Sequence, residues 1–170
     1  MEFKEVVKER YACKGFCDKK VPKEKVEAIL EAGRLAPTAK NLQEQKILVL
    51  ESEKALKIVD EVTPCRYGAP TVLAVCYDKN NVFTYPGGKL DSGMEDATIV
   101  ATHMMLAAKD EGVESCWLNY YDPEVLREKL ELPENYEVIM LLDLGYAREG
   151  VGPLANHGSR KPLSETVTWL

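Results

Sequence analysis

Four short apolar runs, at residues 47–50, 71–77, 116–118 and 138–144, are separated by segments whose apolar residues recur at helical spacing. Runs this short suit strands rather than independent helices. Neither kind of element can bury its apolar face alone, so the alternation predicts a layered sheet with helices on its faces. Taken by itself, such a pattern favours parallel strands.

The helical segments can be placed in turn. Phe3, Val6, Val7 and Arg10 fall on one face near the start, and Pro22 sits where a second helix begins. Val26, Ile29, Leu30 and Gly33 continue that helix until Pro37 ends it. Residues 38–45, TAKNLQEQ, read as an ordered loop, and a helix over about 52–62 follows the first apolar run. The stretch 78–90 is irregular and contains Tyr85-Pro86-Gly87-Gly88. Ser92 and Glu95 have the spacing of a capping box for the longest helix, which stops at Gly112. Its expected inner face is Met94, Ala97, Ala101, Met104, Met105 and Ala108. Asp122-Pro123 starts a last helix over 123–130.

A length of 170 residues fits one domain, 1–170, with its own core. The segment 147–170 stands apart as an arm. It holds Gly150, Gly152, Pro153, Gly158 and Pro162 and ends in β-prone Thr166-Val167-Thr168-Trp169-Leu170 without an evident partner. Such an arm docks either on its own sheet or on a neighbouring subunit. The longest apolar candidate, 97–108, is interrupted by His103 and two threonines and is too short to span a bilayer. Glu2, Lys4 and Glu5 replace the apolar core of a signal segment, so a cytoplasmic protein is expected.

The net charge of −6 argues against nucleic acid or an anionic membrane as partner. Its distribution is uneven: residues 1–25 carry +3, residues 26–155 carry −10 and residues 156–170 carry +1. If the two basic ends meet in space, they form a local anion site. Five cysteines, an odd number, suit free thiols in a reducing compartment. Cys13 and Cys17 lack metal-pair spacing, and His103 and His157 lie far apart, so no metal site is expected. Cys76 and Cys116 read as small buried hydrophobes, and His103 as a packed or surface residue. Dinucleotide, Walker, G-x-S-x-G and H-E-x-x-H signatures are all missing.

Four strings carry a more specific signal. They are Arg10-Tyr11-Ala12-Cys13-Lys14, then Ala36-Pro37-Thr38-Ala39-Lys40-Asn41-Leu42-Gln43, then Ala107-Ala108 leading through Gly112 to Ser115-Cys116-Trp117-Leu118-Asn119, and finally Arg160-Lys161-Pro162-Leu163-Ser164-Glu165-Thr166-Val167. In this order and spacing the chain resembles the FMN-dependent nitroreductase family over nearly its whole length. Three positions depart from that pattern. Ala12 replaces a serine, Asn119 stands where glycine is common, and Glu44-Gln45 replace a Pro-Trp pair.

The resemblance implies an α+β fold, a mixed and largely antiparallel sheet between helical layers, with the C-terminal arm exchanged in a homodimer. It implies FMN as cofactor and NADH or NADPH as electron donor. Nitroaromatics, quinones or similar small molecules would be the acceptors, reduced by ping-pong hydride transfer through flavin N5. Arg10, Lys14 and Arg160, with Lys161, are assigned to the phosphate, and Tyr11 and Ala12 lie in the same strip. Pro37, Thr38, Ala39 and Asn41 are assigned to the ring of a flavin held mainly by the partner subunit. The backbone of Cys116, Trp117, Leu118 and Asn119 is assigned to the N5 side. Because the flavin carries the chemistry, no catalytic side chain is named. Read residue by residue, the same positions also suit helix-end salt bridges, a bare turn and a core tryptophan. A flavin-storage dimer, a dehalogenase or flavin reductase of the same fold, and a thiol protein using Cys13 and Cys17 are the rival readings.

Overall fold

The computed structural model describes residues 1–170. Four strands form one sheet in the order β1-β2-β4-β3: β1 (Gln45–Leu50), β2 (Thr71–Asp78), β3 (Glu114–Leu118) and β4 (Tyr136–Gly145). Every strand pairing is antiparallel, with Gln45 opposite Tyr77, Thr71 opposite Leu144 and Glu114 opposite Gly145. The parallel sheet favoured by pattern alone is therefore corrected, and the reason is physical. Helices cover both faces, so the central strands are buried on both sides and read as continuous apolar runs, the signature that parallel strands usually leave.

On one face lie α2 (Lys23–Arg34) and α4 (Gly93–Asp110), packed on Leu73, Val75, Met140, Leu142 and Leu144. On the other, α3 (Glu53–Val62) and α5 (Pro123–Lys129) place Val59 and Leu126 against Val72, Ala74, Cys76 and Leu141. Two short helices, α1 (Phe3–Glu9) and α6 (Leu163–Thr166), belong to the chain ends. Every residue of β2 from 71 to 77 is buried. No helix is long and apolar enough to cross a membrane.

Most elements fall where the sequence places them, with three differences. The Ser92–Glu95 capping box does not form. The Ser92 hydroxyl instead accepts the Phe83 amide at 3.2 Å, and Glu95 accepts the Tyr85 hydroxyl, so both side chains tie the 83–91 segment to the start of α4. Met94 is exposed rather than inward, while Ala97, Ala101, Met104 and Ala108 are buried. The last five residues form no strand in this chain. Thr166 closes the four-residue α6, and residues 167–170 after it remain exposed.

Candidate functional site

Residues 10–14 leave α1 in extended form and run along the outer edge of β3. Ala12 bridges Ser115 in parallel, and the Cys13 amide donates to the Ser115 carbonyl at 2.9 Å. Extended backbone sends alternate side chains to opposite sides. Tyr11 and Cys13 are buried, whereas Arg10 and Ala12 are half-buried and Lys14 is exposed. The apolar residues thus anchor the strip and leave its cations facing outward.

The arm after β4 returns to the same strip. Phe16 bridges Ala147, and the Arg148 amide donates to the Gly15 carbonyl at 3.0 Å. Arg10 and Ala12 then meet Leu154, Asn156, His157 and Arg160 around a cleft of about 240 Å³. The basic ends of the chain do meet. Arg160 donates through Nη1 to the carbonyls of Ser159, at 2.7 Å, and His157. Neither Arg10, Lys14 nor Arg160 has a carboxylate within ion-pair distance, so the helix-end salt bridges do not form. Lys161 lies outside the cleft, 3.9 Å from Glu165.

His157, Asn156 and Leu154 were not singled out by sequence. His157 stacks edge-on against Tyr11, with ring centroids 6.3 Å apart. Its proximity to Arg160 in the chain was the available signal, but only the folded arm shows which ring it meets. Burial pushes the Tyr11 hydroxyl up to about 12, so it is a neutral packing group here.

Residues 37–41 form a tight turn on the other side of the molecule. Ala39 donates its amide to both Asp96 oxygens at 3.0 Å, and Thr38 Oγ1 accepts the Gln43 amide at 3.0 Å. Lys40, Asn41 and Gln43 adopt positive φ near 55°, which exposes Asn41 and Pro37 to solvent. Asp96 opens α4, whereas Lys109, at its far end, lies over the Tyr11 ring. The thirteen steps between them amount to about 20 Å of helix. Within one chain the Asn41 turn and the Arg10–Arg160 cleft are therefore not brought together.

The 116–119 strip continues β3 past the 10–14 segment. Its Asn119 side chain is already engaged, accepting from Trp117 Nε1 at 2.6 Å and donating to the Ile139 carbonyl at 2.7 Å. Only the backbone of this strip is left for a ligand. Trp117 is half-buried against the core, and burial pushes the Cys116 thiol up to about 12, with Asp143 adding to the rise and Lys14 opposing it. Burial likewise raises the Cys13 thiol, whose Sγ donates to the Gly15 carbonyl. Burial thus disfavours the thiolate of Cys13, one of the two cysteines on which the thiol reading rests. No group of three or more His, Cys, Asp or Glu side chains converges in a metal-binding arrangement.

The fit to a flavin phosphate can be judged from these residues. Two guanidinium groups without acid partners suit a dianion, the arginines being able to donate in pairs. The cleft is smaller than the ~300–1,000 Å³ that holds a whole drug-sized ligand. It matches a phosphate with part of its chain and leaves a tricyclic ring to be housed elsewhere.

The chain is thus a three-layer α-β-α fold with a cleft lined by two arginines at the junction of its chain ends. The profile of the Nitroreductase family matches residues 7–65 and 63–146, and the chain belongs to that family. A protein of Archaeoglobus fulgidus assigned as NADH dehydrogenase/NAD(P)H nitroreductase is 31% identical over 147 residues, covering 82% of each chain. The crystal structure of a nitroreductase family protein from Clostridium difficile 630 is 37% identical, with a TM-score of 0.92 over 99% of this chain and 98% of that one. A nitroreductase from Exiguobacterium sibiricum, solved in complex with FMN, shares the fold at 22% identity, with a TM-score of 0.86 over 100% and 98% of the two chains.

Proposed function

We propose that the protein is a homodimeric FMN oxidoreductase that takes electrons from NADH or NADPH and passes them to small acceptors such as nitroaromatics or quinones. The observation that carries this reading is the meeting of unpaired Arg10 and Arg160 in one cleft beside the 10–14 strip. The names of the relatives and the FMN held by the Exiguobacterium protein support it. The flavin, when bound, supplies two-electron transfer between donor and acceptor. Arg10 and Arg160 hold the phosphate, with Lys14 contributing a point charge from the exposed side of the strip. The backbone of residues 116–119 faces the ring, and Lys161 adds a further positive charge near the phosphate end of the site.

Two positions indicate how a second copy completes the site. The Asn41 turn lies about 20 Å from the cleft along α4, so it reaches a flavin in the partner rather than its own. Leu163, Val167, Trp169 and Leu170 are exposed in this chain. The outer edge of β3 is covered by residues 12–13, whereas that of β1 is open. The β-prone tail therefore docks on the partner, with the β1 edge as its natural seat. Arg160 meets Arg10 of its own chain, so arm exchange concerns residues beyond it. A reducing cytoplasm suits the five free cysteines.

Double substitution Arg10→Ala with Arg160→Ala tests the reading. Losing two charge-assisted contacts at ~1.5–3 kcal/mol each weakens FMN affinity by ~100-fold or more. Unchanged flavin occupancy of the purified variant contradicts the assignment. Anaerobic addition of NADH or NADPH separates an enzyme, whose flavin bleaches rapidly, from a storage dimer, whose flavin does not.

A further inference from the structure

Beneath the Asn41 turn lie two carboxyl groups that the flavin reading does not use. Glu44, just before β1, and Asp96, in the first turn of α4, are 3% and 5% exposed. Asp96 is engaged by the Ala39 amide. Glu44 is not: its Oε1 receives a long contact of 3.5 Å from the Ser92 hydroxyl, and its Oε2 is buried without a partner. Burial first, and then the neighbouring Asp96, raise the Glu44 carboxyl to about 7.

The surroundings supply no compensating cation. Lys40 sits over the Phe83 ring, 4.3 Å from its centre. On the side of α4, Asp91 accepts the Gly93 amide and Glu95 the Tyr85 hydroxyl. From β2, the Tyr77 hydroxyl donates to Glu137 at 3.0 Å, and the Asp78 carboxylate is held by Asn80 and Asn135. Asn81 donates to the Leu42 carbonyl at 3.1 Å. Both residues meet at Ser92, whose hydroxyl approaches Glu44 and whose carbonyl accepts the Asp96 amide at 2.7 Å. Two buried anions so placed without a counter-charge are untenable, whereas one shared proton satisfies both the orphan oxygen and the pair. The turn above needs such a hold, because Lys40, Asn41 and Gln43 all adopt the left-handed backbone that side chains with a Cβ disfavour.

We propose that Glu44 and Asp96 share one proton and act together as positioning residues, the acid pair latching Ala39 and thereby holding the turn that presents Asn41. Glu44 carries the proton and donates to Asp96, and Asp96 passes the hold on to the Ala39 amide. When the proton leaves, the pair becomes two anions and the turn loosens. The latch is a property of the protein alone, and only its consequence for FMN rests on the proposed function. Loss of the latch weakens the ring end of the site and leaves the Arg10–Arg160 end as it was.

The test uses the purified protein labelled with ¹³C at the glutamate carboxyl. One glutamate resonance titrates near neutrality in the wild type and is missing from Glu44→Gln. Hydrogen exchange at the Ala39 amide gives the second readout. After correction for base catalysis, protection falls about tenfold per pH unit above 7 in the wild type, as expected for one linked proton. It stays level in Glu44→Gln, whose amide donates to Asp96 at any pH. The ratio of the wild-type Kd for added FMN to that of the variant rises about tenfold between pH 6 and pH 8, a ratio from which titration of the FMN phosphate cancels. A wild type without a glutamate titrating between pH 6 and 8, or with pH-independent protection of Ala39, overturns the latch. A normal titration in a protein that takes up no FMN at either pH sinks the flavin reading and leaves the latch standing.

Discussion

Asp143 shows how one side chain can set a pH dependence that the sequence hides. It lies within β4, fully buried, and neither carboxylate oxygen has a hydrogen-bond partner. Arg66 eases its charge but is itself occupied, donating to Asp60 at 2.7 Å through two nitrogens and to the Ala69 carbonyl at 2.7 Å. Burial therefore dominates and raises the Asp143 carboxyl to about 9. Between ~3.9 and that value the folded chain keeps a proton that the unfolded chain has released, so stability falls as pH rises through this window. Asp143→Asn removes the ionisation. We expect urea unfolding to show the variant ~1–3 kcal/mol more stable than wild type at pH 7, with the gap closing near pH 4. Equal stabilities at both pH values contradict a neutral buried Asp143. In the sequence this residue was one letter inside an apolar run, and its missing partners are a property of tertiary packing. Asn119 behaves the same way: its departure from glycine was legible, but its bonds to Trp117 and Ile139 were not.

At the level of elements, legibility follows from how local the controlling physics is. Helix α3 begins after Ser52 and helix α5 after Asp122, and in both the cap side chain accepts an amide at the helix start, as short-range chemistry dictates. The start of α4 failed the same reading because the long-range ties of Ser92 and Glu95 to the 83–91 segment outcompeted the cap. Strand positions were visible as apolar runs, but their direction was not, since burial on both faces erases the alternation that marks an antiparallel sheet. The beginning of α4 also packs tightly on β2. A Cβ on Gly93 would lie 2.1 Å from Cε2 of the Tyr77 ring. Tyr77 is buried, with its hydroxyl bonded to Glu137, so the ring cannot swing away freely. Gly93→Ala should therefore cost ~1–3 kcal/mol through overpacking. Chemical denaturation of the variant checks this, and an unchanged midpoint shows that α4 can shift away from β2 without penalty.

At the scale of the whole molecule, the fold places its recognisable motifs on two opposite regions. The 10–14 strip, which shares its cleft with Arg160, lies by the C-terminal end of α4 and the 37–41 turn by its N-terminal end, a separation that motif spacing alone cannot reveal. In the proposed dimer, a two-fold pairing of copies would let one chain's turn complete its partner's cleft while the reverse occurs at the second site. The exposed tail gives this arrangement a direct test. Leu163, Val167, Trp169 and Leu170 contribute nothing to either buried cluster, so removing residues 162–170 leaves the monomer's core intact. It deletes only surface offered to a second copy, including the Trp169 side chain, which is 93% exposed. Burying aromatic and aliphatic anchors is what carries interface energy. If three such side chains each contribute ~1–2 kcal/mol, the truncated chain dissociates ~100-fold or more readily than the full one. Sedimentation at micromolar concentration should then find it monomeric where the full chain is dimeric. Arg10 and Arg160 remain in place in the truncated chain, so phosphate binding survives. On the proposed function, contact with the ring would need the partner's turn, so FMN occupancy is expected to fall with the dimer. A truncated chain that stays dimeric and fully loaded with FMN places the interface away from the arm and removes the arm from the site.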